Sequence, residues 1–131
     1  MAPSLEWGVD GRVAVGDVEE LKRLLESLRQ QAGRTEPFVV ELFLDSGDAL
    51  GMGLGRPVSL LCFVSASKEP PFFISRGDPA LTPGDYVVFS YGGEPTEFPA
   101  TAAISSDSAL SAMIEFFETR KLPESIGWVI D

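Results

Sequence analysis

The chain reads as an α+β fold: an antiparallel sheet meander with two main helices packed on one face. Two observations predict it. Capped amphipathic segments lie at 17–32 and 106–120. Between them runs a series of short apolar segments, several alternating, broken by Gly, Pro, Ser and Asp. At 131 residues the size prior gives one domain, 1–131. That length can bury roughly two-thirds of its unfolded surface.

Residues 12–15 (Arg-Val-Ala-Val) read as a short strand. Asp17 is then a helix N-cap with Glu20 three residues on. Val18, Leu21, Leu24, Leu25 and Leu28 recur at helical spacing and predict a buried stripe, which Gly33 ends. Phe38 to Leu44 alternates, with Phe38, Val40, Leu42 and Leu44 on one side. Strands are expected at 49–54, 58–66, 72–74 and 86–91, with turns at Ser46-Gly47-Asp48, Pro83-Gly84-Asp85 and Gly92-Gly93. Residues 96–98 follow the last turn. Ser105 or Ser106 caps the second helix, with Asp107 near its N-terminal dipole and Arg120 and Lys121 at its C-terminal end. Pro123 stops it, and 126–130 is a final strand holding Trp128, expected in the core. Trp7 receives no assignment.

The charge is lopsided: 20 acids, 10 bases, no histidine and a net charge of −10. Between Arg76 and Arg120 there is no base, but there are seven carboxylates: Asp78, Asp85, Glu94, Glu97, Asp107, Glu115 and Glu118. Such a field repels nucleic acid and anionic membrane and attracts basic proteins. Neither nucleic acid nor membrane is therefore an expected partner.

Without histidine, and with Cys62 as the sole cysteine, an ordinary zinc site, a Ser–His–Asp triad and a Cys–His pair all lack their residues. No Gly-Lys-Ser/Thr phosphate loop occurs either. The expectation is no metal, no cofactor and no enzymatic turnover. Cys62 lies in an apolar run and reads as a buried, inert thiol. No leader is visible, and the longest apolar stretch, Val58 to Val64, is too short to span a bilayer. These features predict a cytoplasmic protein.

Two features invite a functional reading. Gly51, Gly53 and Gly55 alternate with Leu50, Met52 and Leu54, which puts the glycines on one strand face. That face suits either close packing or the approach of a ligand backbone. Glu94 and Glu97 flank a turn beside Tyr91; a solvated acidic loop is the first reading, an interface loop with an aromatic anchor the second, and either suits them better than a catalytic carboxylate pair. Tyr91, Glu94, Glu97 and Asp85 are the candidate partner-binding residues.

The run Phe116-Phe117-Glu118-Thr119-Arg120-Lys121-Leu122-Pro123-Glu124-Ser125-Ile126-Gly127-Trp128 resembles the ending of the first immunity-protein family of bacterial polymorphic toxin systems. There a helix closes on Phe-x-x-Thr-Gly before a Pro and a strand Trp; here Arg120 stands where the glycine usually lies. Asp48 to Gly55, Val58 to Val64, Ile74 to Asp78, Asp85 to Glu94 and Ala109 to Phe117 resemble successive family elements, covering roughly residues 12–130. The resemblance implies a cytoplasmic antidote; the residue pattern itself leads us to expect a monomer before complex formation. Such an antidote would bind a secreted toxin, a nucleic-acid deaminase first and a nuclease second, by occluding its active or nucleic-acid-binding site. It carries no catalytic motif. The competing readings are an acidic adaptor or assembly protein without a toxin partner, and a carboxylate enzyme of small-molecule metabolism.

Overall fold

A computed structural model describes residues 3–78, 80 and 84–130. It opens with a hairpin: β1 (Ser4–Trp7) pairs antiparallel with β2 (Gly11–Ala14). Helix α1 (Val18–Arg34) precedes β3 (Phe38–Phe43), β4 (Ala49–Leu54), β5 (Val58–Ser59), β6 (Leu61–Val64) and β7 (Phe73–Ser75). A second hairpin joins β8 (Tyr86–Tyr91) to β9 (Glu94–Pro99). A 3₁₀ turn at Ala100–Ala102, β10 (Ile104–Ser105), α2 (Ser106–Thr119) and β11 (Trp128–Ile130) follow. Pro83, part of an expected turn, lies outside the described residues.

The main sheet runs β11-β7-β6-β4-β3-β1-β2, every pairing antiparallel. The β8–β9 hairpin joins through a single parallel bridge, Phe38 to Ser90. The α+β class expected from the sequence is the one observed, with both helices on one face of the sheet.

The helix ends follow local chemistry. The Asp17 carboxylate accepts the Glu20 N–H at 2.8 Å, and the Glu20 carboxylate accepts the Gly16 N–H at 2.6 Å. Gly33 does not terminate α1. The helix continues to Arg34, and Thr35 closes it by donating its N–H and its hydroxyl to the Gln31 carbonyl. Ser105 caps α2 by accepting the Ser108 N–H at 3.1 Å. At the other end Arg120 itself takes the left-handed conformation, φ 63°, and its N–H donates to the Phe116 carbonyl. That conformation costs a non-glycine residue about 1–2 kcal/mol. The guanidinium offsets part of this, reaching Asp45 at 3.5 Å and lying 5.3 Å from the centre of the Phe117 ring.

Two cores lie on opposite faces of the sheet. Val40 and Leu42 of β3, Leu50 and Met52 of β4, and Leu61 face Leu21, Leu25 and Leu28 of α1 and Met113 and Phe116 of α2. On the other face, Val39 and Ile74 meet Val87, Phe89 and Phe98 of the β8–β9 hairpin. The hairpin is thus the second lid of the sheet, and β4 is buried along its whole length.

Other expectations need correction. The strand expected over 58–66 breaks at Leu60. Buried Ser59 donates its hydroxyl to the Gly53 carbonyl at 2.7 Å, and β5 leaves to pair with β10. The last strand begins at Trp128, which is half-buried; its indole N–H donates to the Pro123 carbonyl at 2.8 Å. Cys62 is half-buried rather than buried. Trp7 ends β1 and packs at the margin of the helix-side core.

The glycine row resolves into two roles. A methyl on Gly53 would sit 2.6 Å from the Phe89 ring, and one on Gly51 would sit 3.1 Å from Val39 Cγ1. These two create packing space on the hairpin side. Gly55 does not share that face: it follows the strand at φ 98° and abuts Ala32 of α1. Gly53→Ala is expected to destabilise by about 1–3 kcal/mol through overpacking. In a Phe89→Leu background the penalty should shrink, because the two side chains compete for one space. Denaturant unfolding of the double-mutant cycle checks this.

Candidate functional site

The β8–β9 hairpin concentrates the candidate residues, and strand alternation sorts them onto two faces. Val87 and Phe89 point into the hairpin-side core, and Tyr91 packs against its edge. Opposite residues in an antiparallel pair share a face. Glu94, paired with Tyr91, therefore lies on the inward side at the hairpin tip, while Glu97, paired with Val88, lies on the outward side. The expected exposed loop carrying Tyr91, Glu94 and Glu97 is thus a strand pair. Only Gly92 and Gly93 form the turn, at φ 60° and 89°, a left-handed pair that suits a tight hairpin.

Tyr91 is not a free projecting aromatic. It is half-buried, its ring stacks on Phe98 at 6.4 Å, and its hydroxyl donates to the Glu41 carboxylate at 2.7 Å. Burial pushes the Tyr91 hydroxyl well above its ordinary range, and the bond to Glu41 adds to the rise. Burial also raises the Glu41 carboxyl. The Tyr91 bond pulls it down, and the charge of Glu6 pushes it up again. This pair staples the hairpin to β3 across fifty residues of chain.

The acids divide by what they hold. Asp17 caps α1, Asp48 accepts the Ala66 N–H at 2.8 Å, and Glu115 accepts the Glu124 and Ser125 N–H groups. Bonds from Ser125 and from the Glu124 N–H hold the Glu115 carboxyl below its usual range. Asp85, Glu94 and Glu97 hold nothing, as is also true of the exposed carboxylates of Asp10, Glu36, Glu69, Glu118 and Glu124. The first three are exposed, and none of their carboxylates bonds or ion-pairs with any described residue. No fold-stabilising contact accounts for them.

Sequence reasoning missed Tyr86 and Val88. Tyr86 is 63% exposed and Val88 37%. The signal available was period-two alternation, which puts them opposite in phase to Phe89 and Tyr91. A groove of about 470 Å³ lies between α1, the end of β4 and the start of α2. It mixes Lys22, Arg29 and Arg56 with Glu26 and Asp107, and Arg29 donates to Glu26 at 2.7 Å, so it focuses no single charge. Among the described residues, no cluster of three or more His, Cys, Asp or Glu could hold a metal, and no helix is long and apolar enough to cross a membrane.

The chain is thus an acidic α+β protein with two helices on one face of its sheet and an acidic hairpin on the other. The family model of immunity protein Imm1 matches residues 10–129. The chain belongs to that family of immunity proteins. No curated protein matches it.

Two outcomes follow for the Tyr91–Glu41 pair. Tyr91→Phe should cost about 1 kcal/mol, since it leaves a partly buried carboxylate short of a donor. Glu41→Gln keeps an acceptor and removes the charge. The carboxyl of Glu41 is raised in the folded state, so its favourable contribution exists at low pH and is lost as pH rises through the raised value. Glu41→Gln should therefore be more stable than wild type at neutral pH, with the gap closing towards about pH 4. Thermal unfolding across pH checks both.

Proposed function

We propose that this chain is an antidote that binds and neutralises a basic toxin domain, a nucleic-acid deaminase first and a nuclease second, by occluding its active or nucleic-acid-binding site. The observation that carries the proposal is the family match over residues 10–129. The charge supports it physically. A toxin acting on nucleic acid presents a basic cleft for phosphate, and a protein of net charge −10 is steered towards such a cleft. The action is stoichiometric binding rather than turnover, it takes place in the cytoplasm of the producing cell, and the chain is a monomer until it meets its partner.

Asp85, Glu94 and Glu97 supply the approaching charge in this reading. Tyr91 serves by holding the hairpin in place through Glu41. A standard interface of about 1,600 Å² suits the proposal. An antidote must hold under dilution, which calls for Kd in the nanomolar range or below, about −12 kcal/mol or beyond.

Co-expression with the toxin encoded next door should restore growth; continued killing would instead favour an acidic adaptor with no toxin partner. The double variant Glu94→Gln/Glu97→Gln should slow association several-fold at low salt and flatten its salt dependence, while leaving dissociation nearly unchanged. Stopped-flow association at two ionic strengths measures this.

A further inference from the structure

Resting on the toxin-binding reading above, we propose that the outward face of the β8–β9 hairpin is the docking surface for that basic domain, with Tyr86 as its anchoring side chain.

The face follows from register. Tyr86, Val88 and Ser90 point outward from β8, and opposite them on β9 stand Pro99, Glu97 and Pro95. Tyr86 is among the most exposed large hydrophobic side chains of the described residues, Val88 is exposed more modestly, and all three β9 residues are exposed. The hairpin already delivers Val87, Phe89 and Phe98 to the core, so folding does not require an aromatic on its other side. Tyrosine in such a place gives a large, rigid contact with a polar tip, the kind of side chain that dominates binding hot spots.

Charge selects the occupant. Asp85 adjoins Tyr86, Glu97 stands across from Val88, and Glu94 is at the tip. The nearby cation, Arg56, is directed inward: its Nε donates to the Val88 carbonyl at 2.7 Å, and its guanidinium lies 5.7 Å from the centre of the Phe89 ring. An apolar strip that carries Glu97, with the unpaired carboxylates of Asp85 and Glu94 at its two ends, complements a basic surface.

The edge of the hairpin selects the mode. The Ser90 N–H donates to the Pro37 carbonyl, away from β9. By alternation, the amide positions of Pro95, Glu97 and Pro99 face away from β8. Two of these three are prolines without an N–H, so the edge is poorly suited to a partner strand. The partner therefore meets the side-chain face. That face is held rigid by the Tyr91–Glu41 bond, the Arg56–Val88 bond and the Phe89 packing, which lowers the ordering cost of binding.

The test uses the full chain and the toxin domain encoded beside it, inactivated in its active site. Tyr86→Ala should speed dissociation roughly 30-fold, the loss expected of a hot-spot aromatic, with an unchanged unfolding midpoint. Glu97→Lys should slow association and weaken binding on the same face. Arg23→Ala, on the solvent side of α1, should bind as wild type. If wild type does not bind the toxin domain, the toxin-binding reading falls and this inference falls with it. If wild type binds and both Tyr86→Ala and Glu97→Lys bind equally well, the docking surface lies elsewhere and only this inference is overturned. Should Tyr86→Ala prove unstable, Glu97→Lys decides alone.

Discussion

The Phe89 ring rests on Gly53 so closely that a single methyl would sit 2.6 Å from it. This contact lets the β8–β9 hairpin settle on a sheet whose other face is already covered by helices. The hairpin has little else in the way of backbone attachment: one parallel bridge at Phe38–Ser90, one bond from Ser90 to Pro37, and the arginine bond to Val88. Packing of Val87, Phe89 and Phe98 against Val39 and Ile74 therefore does most of the holding. Everything placed on the outward side of that hairpin inherits its position from this packing together with the Tyr91–Glu41 and Arg56–Val88 bonds.

The same arrangement separates carboxylates by task. Asp17, Asp48 and Glu115 satisfy backbone N–H groups at a helix start and at turns, where an anion replaces missing intramolecular partners. Glu41 tolerates partial burial because Tyr91 donates to it. The hairpin acids have no such duty, and a net charge of −10 brings self-repulsion that the fold bears without local compensation there. Charges kept at a cost to the compact state are best understood through what lies outside it.

Local features were legible in the sequence because their causes are local. The Asp17 cap, the Ser105 cap, the α1 stripe and the alternation from Phe38 all follow from neighbours within a few residues. The class of fold followed from them. What escaped depended on distant partners. Strand β1 is four residues with no clear alternation and exists because β3 pairs with it. The break at Leu60 comes from a Ser59 hydroxyl finding the Gly53 carbonyl. At the candidate site, proximity to the Gly92–Gly93 turn favoured Tyr91 over Tyr86. The bond that draws Tyr91 inward ends on Glu41, fifty positions earlier, and no local pattern announces it. Arg120 in a left-handed helix cap is similar, its compensation lying in Asp45 of the β3–β4 turn.

The hairpin's two phases have a consequence for how such a protein changes over generations. Residues 86, 88 and 97 lie outside the core clusters, whereas substitutions at 87, 89 or 98 disturb the packing on which the whole hairpin sits. If that face is the docking surface proposed above, its specificity can drift one outward residue at a time while the fold stays above its stability threshold. A lineage facing a changing adversary would have a surface free to explore and a scaffold insulated from the search.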